Sequence, residues 1–68
     1  MEFYFILNKD ITGDEKVTHA VLNGKIVSDP KGWDAYNTLE LAVEKLKSPE
    51  IQQQMKELGI EMEIVPLR

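Results

Sequence analysis

The dipeptide Asn23-Gly24 constrains this chain more than any other feature, because it lies between two alternating apolar runs, Val17 to Leu22 and Lys25 to Ser28. Asparagine and glycine both tolerate positive φ, so the pair predicts a two-residue type I′ turn that joins two antiparallel strands. A turn of this length also fixes the register of the strands. The predicted pairs are Leu22 with Lys25, Val21 with Ile26 and Ala20 with Val27.

Two further strands are predicted near the ends of the chain. Glu2 to Asn8 is predicted to be the first strand, and its residues Phe3 to Leu7 are apolar on both alternating faces, which favours a central position in a sheet. Lys9 to Lys16 is rich in turn-forming residues, and we expect an exposed loop there. Ile60 to Val65 alternates apolar and acidic residues, and Pro66 ends it.

The segment Asn37 to Lys47 has the pattern of an amphipathic helix. Its apolar residues recur at i, i+3, i+4 and i+7, which gathers them into one stripe. Asn37 with Glu40 three residues later resembles a capping box, so we expect Asn37 to be the N-cap. The stripe consists of Leu39, Ala42, Val43 and Leu46.

Ser48-Pro49-Glu50 predicts the start of a second, short helix, with Ser48 as N-cap and Pro49 at the first helical position. Gly59 is placed to end this helix in a left-handed conformation. The alternative is one continuous helix. In that case Leu41 aligns with the second apolar stripe and forms a face available to another chain; that stripe consists of Ile51, Met55 and Leu58.

These elements predict a single small α+β domain over residues 1–68, with the order β-β-β-α-α-β. We expect a two-layer sandwich: a four-stranded mixed sheet in the order 3-2-1-4, packed by one main helix and one short helix. A right-handed crossover through the helical layer predicts that the last strand runs parallel to the first.

Composition excludes several classes of function. The chain has 68 residues, no cysteine and a net charge of −4. Its lysines are scattered and its one arginine is Arg68, so we expect no binding to nucleic acid. The apolar run Phe3 to Leu7 is too short for a signal peptide or a membrane span. We therefore expect a cytoplasmic protein without a membrane segment, for which self-association as a homodimer is the default because so short a chain has a small core.

No set of residues points to catalysis, a cofactor or a metal. His19 is the only histidine, and the sequence indicates no partner for it as a general base. Asp10, Thr12 and Asp14 alternate, but Gly13 precedes Asp14, which is the wrong order for a calcium loop. We expect neither a cofactor nor a metal site, and we expect that the protein is not an enzyme.

Apolar residues beyond the needs of one small sheet suggest binding to another protein or to a second copy. Trp33 and Tyr36 either close the core as a lid or face outward. The predicted function is a small protein-interaction module of bacterial or phage origin. The candidate partner-binding residues are Trp33, Tyr36, Leu41, Ile51, Met55 and Leu58. The alternative is a regulatory domain that binds a small molecule or metal between residues 9–16 and the two aromatic residues.

Thr38-Leu39-Glu40 with Ala42, after strands and a turn, resembles the segment that opens the helix in the partner-binding domain of HicB-type antitoxins. The similarity covers a short part of the chain. It implies inhibitory binding to a protein partner, without the separate DNA-binding module that many of those antitoxins carry.

Overall fold

The structure, a computed structural model, describes residues 3–9 and 16–67, the last of these by its backbone alone. Most of the predicted loop from Lys9 to Lys16 lies outside these residues. Four strands and two helices are present in the described part. They are β1 (Phe3–Lys9), β2 (Val17–Leu22), β3 (Lys25–Ser28), α1 (Leu39–Leu46), α2 (Pro49–Leu58) and β4 (Glu63–Leu67).

The turn between β2 and β3 has the predicted conformation. Asn23 and Gly24 adopt φ values of 53° and 80°, the left-handed pair that a type I′ turn requires. All three predicted strand pairs are present, and His19 pairs with Ser28 beyond them. The turn residues therefore set the register of this hairpin.

The α+β class and the strand order β3-β2-β1-β4 are confirmed, with β1 in a central position. The prediction of a mixed sheet with β4 parallel to β1 is wrong. β4 runs antiparallel to β1, with Phe3 opposite Leu67 and Leu7 opposite Glu63, so the sheet is antiparallel throughout.

An additional pass of the chain between β3 and α1 explains this difference in direction. β3 ends at Ser28, at the end of the sheet far from the Asn23-Gly24 turn. By Asp34 the chain is back at the turn, since the Asp34 carboxylate accepts hydrogen bonds from both turn amides. The helices then return the chain to the far end, where β4 begins opposite Leu7. Without the pass through residues 29–36, the same helices would have delivered a parallel strand.

The end of this pass adds a short rung to the sheet. Tyr4 and Tyr36 exchange two backbone hydrogen bonds of 2.8 and 2.9 Å, and Asp34 donates its N–H to the carbonyl of Val21 at 2.8 Å. β2 ends at Leu22, and beyond that point residues 34–36 lie beside β1 in its place. The backbone groups of the connection are satisfied by the sheet that it crosses.

α1 begins one residue later than predicted. Thr38, not Asn37, is the N-cap: its backbone is extended (φ −134°, ψ 153°) and its Oγ1 accepts the N–H of Leu41 at 3.1 Å. The Thr38 carbonyl also accepts the N–H of Ala42, as the first intrahelical acceptor. An N-cap residue accepts one amide through its side chain and one through its carbonyl, and Thr38 does both.

The break between the two helices is confirmed, and the single continuous helix is wrong. Ser48 is the N-cap of α2, with its Oγ accepting the N–H of Ile51, and Pro49 occupies the first turn. Gly59 ends α2 with φ 67°. The break turns the second stripe toward the sheet, as the complete burial of Ile51 shows.

The main core lies between the sheet and the helices. Ile6 and Val21 of the sheet are fully buried on this side, together with Ile51 of α2. Both helical stripes are buried at their centres and open at their ends: Leu39, the first residue of α1, is 51% exposed, and Leu58, the last of α2, is 49% exposed. The core cluster consists of Ile6, Val21, Ile26, Ile51 and Met62, with Tyr36, Leu46, Met55, Ile60 and Ile64 packed against it.

The opposite face of the sheet is apolar as well. Leu7 and Ala20 are paired, buried and directed away from Ile6, since successive side chains of a strand alternate. Phe5 lies on the same face, and the ring of Trp33 packs edge-on against it with centroids 5.8 Å apart. The pass through residues 29–33 therefore contributes cover to this second face, which explains why β1 is apolar on both sides.

Candidate functional site

The predicted partner-binding residues do not form one surface. Ile51 is fully buried and belongs to the core, and Met55 packs against that core while partly exposed. Leu41 and Leu58 are the exposed members, at 48% and 49%. The second stripe is thus mainly structural, since the break at Ser48 directs it toward the sheet.

The two aromatic candidates lie on opposite sides of the sheet. Trp33 packs against Phe5 on the face away from the helices, whereas Tyr36 packs against the core cluster on the helix side. Both are half-buried. Tyr36 covers the core, as expected of a lid, whereas Trp33 covers the face of the sheet away from the helices, so the two do not combine into a single binding patch.

Leu41 borders an open groove of about 260 Å³. α1 supplies Leu41, Glu44 and Lys45, which follow the i, i+3, i+4 spacing of one helical face. The connection before α1 supplies Tyr36, and the junction of the helices supplies Ser48. Because the break at Ser48 and the pass through residues 34–36 meet here, the groove depends on the two features of the fold that are least regular.

The groove has an apolar floor and a rim of both charges. Glu44 and Lys45 are adjacent on the rim. The pKa of Tyr36 is raised above its ordinary value of 10.0, first because burial disfavours the phenolate and second because the Asp34 carboxylate is near. The Tyr36 ring is therefore neutral at physiological pH, and its side of the groove is uncharged.

Asp34 has a role that the sequence did not indicate. Its Oδ1 accepts the N–H of Asn23 and its Oδ2 accepts the N–H of Gly24, each at 2.9 Å. The two hydrogen bonds span eleven and ten residues and depend on the return of the chain after β3. Because local patterns describe only nearby neighbours, nothing in the sequence could have paired Asp34 with this turn.

His19 has a neighbour that we did not predict. Its Nδ1 lies 3.2 Å from Thr18 Oγ1, and Thr18 donates to Asn8 Oδ1 at 2.6 Å. Asn8 in turn donates to the carbonyl of Glu61. The chain of hydrogen bonds joins β1 and β2 to the residues before β4, next to the register shift at Asn8 and Lys9.

Among the described residues there is no group of three or more histidine, cysteine, aspartate or glutamate side chains that is able to hold a metal ion. Asp10, Thr12 and Asp14 lie outside the described part, as does most of the loop that the ligand-binding alternative requires.

A second cavity of about 250 Å³ is lined by Asn8, Lys9, Glu61, Met62 and Glu63. Within residues 3–9 and 16–67, neither helix has the length and apolar character needed to cross a membrane.

Comparison of this chain with protein-family models, with curated proteins and with solved structures finds no match. The resemblance of the Thr38 segment to HicB-type antitoxins gains no support from these comparisons. A functional assignment therefore depends on the geometry of the chain itself.

Proposed function

We propose that this protein is a small non-catalytic interaction module that acts by binding another protein or a second copy of itself. The observation that supports it is the groove beside Leu41, where a leucine is half-exposed next to the partly buried ring of Tyr36. An apolar anchor within a charged rim is the usual composition of a protein-binding surface. A cytoplasmic location, in a bacterium or its phage, is part of the proposal.

The charges of the groove favour self-association. Glu44 and Lys45 have opposite signs and lie side by side on its rim. In a two-fold symmetric contact the same patch meets itself, so the negative charge of each rim meets a rim that also carries a positive charge. A pair of copies centred on Leu41 removes two exposed leucine side chains from water.

Each edge of the sheet has an outward-facing position that cannot donate to an added strand. On the β3 edge, the N–H of Ile26 points outward and is bound by Gln54 Oε1 from α2. On the β4 edge, Pro66 is paired with Tyr4, whose backbone groups point away from β4 toward Tyr36. The backbone of Pro66 therefore faces outward, where proline offers no donor to an added strand. Association through the groove is favoured over strand addition.

The test compares two leucines of equal exposure on the same helix. Leu41 borders the groove and Leu39 does not. A photo-crosslinking amino acid is placed at each position in turn, in the producing cells, and the adducts are identified by mass. We expect a crosslink at position 41 to a second copy or to one defined protein, and little at position 39.

A dilution series by light scattering then identifies the partner. A dimer that Leu41→Ser dissociates and Leu39→Ser does not would indicate self-association, whereas a monomer with a defined crosslinked protein would indicate a different partner. Equal crosslinking at both positions, or none at position 41, would contradict the proposal. Circular dichroism of both variants separates loss of binding from loss of folding.

A further inference from the structure

The turn that organises the hairpin contains the sequence most prone to spontaneous deamidation. In an Asn-Gly pair the backbone nitrogen of the glycine attacks Cγ of the asparagine side chain, because glycine has no side chain to hinder the approach. Here Asn23 is exposed, and Gly24 follows it at the tip of the turn. The geometry around this pair decides how fast the reaction proceeds.

Asp34 holds the nitrogen that would attack. Its Oδ2 accepts the N–H of Gly24 at 2.9 Å, while its Oδ1 accepts the N–H of Asn23 at the same distance. The two bonds fix both peptide planes of the turn, at φ 53° and 80°. The Asp34 carboxylate opposes loss of the Gly24 amide proton, but the Nζ of Lys45 also lies beside Gly24, 3.3 Å from where a Cβ would stand, and its positive charge offsets this repulsion. The protection therefore rests on the two hydrogen bonds.

We propose that Asn23-Gly24 is a modification site that Asp34 keeps closed, so that deamidation requires release of the Asp34 carboxylate. The reaction forms a bond between Gly24 N and Asn23 Cγ and breaks the bond from Cγ to the side-chain nitrogen. The Gly24 amide proton leaves with that nitrogen as ammonia, and a cyclic succinimide remains. Water then opens the ring at one of its two carbonyl carbons and leaves aspartate or isoaspartate at position 23.

Aspartate or isoaspartate at position 23 disrupts the contact between the Asp34 carboxylate and the turn amides. Either one places a new carboxylate next to Asp34, and like charges at this distance repel. Isoaspartate also lengthens the backbone by one methylene, which is incompatible with a two-residue turn that sets the register of β2 and β3. Modification of Asn23 therefore loosens the hairpin, and the loss of the side-chain nitrogen as ammonia makes it irreversible.

The experiment follows the purified full chain over time at physiological temperature and mildly alkaline pH, with aspartate and isoaspartate at position 23 resolved by mass spectrometry of peptides. The same chain in concentrated urea gives the unprotected rate. In the wild type we expect a rate far below that reference. Asp34→Ala should raise the rate on the order of tenfold or more, because a hydrogen bond to a charged group has about that effect on the closed turn.

Two further variants keep the test decisive. Asp34→Asn preserves the size of the side chain but presents one acceptor where two are needed, so its rate should lie between the wild type and Asp34→Ala. Gln54→Ala weakens the same hairpin through Ile26 and leaves Asp34 intact, and its rate should rise much less. If Asp34→Asn deamidates no faster than the wild type, or if Gln54→Ala matches the Asp34 variants, the proposal is wrong. A slower rate in both Asp34 variants would instead make Asp34 a base for the reaction and would also overturn it.

Discussion

Gln54 of α2 accepts the backbone N–H of Ile26 on the edge strand β3, at 3.0 Å. The side chain of a helix thus occupies the outward-facing hydrogen-bond position of the sheet edge. An unpaired edge is a template for strand addition, and proteins commonly cover such edges. The contact therefore both fastens α2 to the sheet and protects the edge of the hairpin.

Replacing Gln54 by alanine should lower the free energy of unfolding by about 1 to 2 kcal/mol, because the Ile26 N–H loses its acceptor in a partly buried position. Exposure of the β3 edge should also increase aggregation at high concentration. Gln53→Ala is the matched control, since Gln53 is exposed and its side chain donates to Glu57 of the same helix, away from the β3 edge. Urea denaturation measures the difference, and equal losses from the two variants would contradict the role of Gln54.

The cap of α1 allows a test between neighbouring residues. Thr38 Oγ1 accepts the N–H of Leu41, so Thr38→Ala should cost about 1 kcal/mol of stability. Asn37→Ala should cost little, because Asn37 is exposed and precedes the cap. Thermal unfolding of the two variants side by side decides between them. A larger loss from Asn37→Ala would restore Asn37 as the effective cap.

Much of this fold was predictable because its signals are local. The Asn23-Gly24 turn, the break at Ser48-Pro49 and the left-handed end at Gly59 are each determined by residues within a few positions of one another. These features were predicted correctly, and with them the number and order of the elements. The N-cap at Thr38 was missed by one residue because Asn37 has an equally suitable side chain.

The direction of β4 was not predictable in the same way. It depends on residues 29–36, which form one more pass across the sheet without the alternation that marks a strand. That pass is held by contacts distant in sequence, from Asp34 to the turn and from Tyr36 to Tyr4. For the same reason the groove beside Leu41 was predicted only in part: Leu41 and Tyr36 were both candidate residues, but their meeting with Ser48 depends on three separate elements.

Tyr36 should make the stability of the protein depend on alkaline pH. Its folded pKa is raised above the unfolded value of 10.0, chiefly by burial and further by Asp34. A raised pKa in an acid favours the protonated form in the folded state, so this contribution is complete below the unfolded pKa and is lost as the pH rises through the folded pKa. The free energy of unfolding of the wild type should therefore fall with pH above about 10.

Tyr36→Phe has no hydroxyl to ionise, so its stability should fall less steeply across the same range. Subtracting the two curves isolates the contribution of the Tyr36 hydroxyl. Parallel curves for the wild type and Tyr36→Phe would show that the ring ionises equally well in the folded and unfolded states. Because the chain has two tyrosines, the difference in tyrosinate absorbance between the wild type and Tyr36→Phe gives a second measurement of the same shift.

Gly59 and Gly32 allow the effect of a left-handed backbone on stability to be measured without a steric clash. Both glycines have open space where a Cβ would lie, but Gly59 has a positive φ of 67° and Gly32 does not. Alanine at position 59 is strained by its backbone alone, and we expect a loss of about 1 kcal/mol. Alanine at position 32 should leave stability unchanged or raise it slightly, because it reduces the entropy of the unfolded chain. Urea denaturation of both variants tests this, and an equal loss at the two positions would show that the left-handed end of α2 contributes nothing particular to stability.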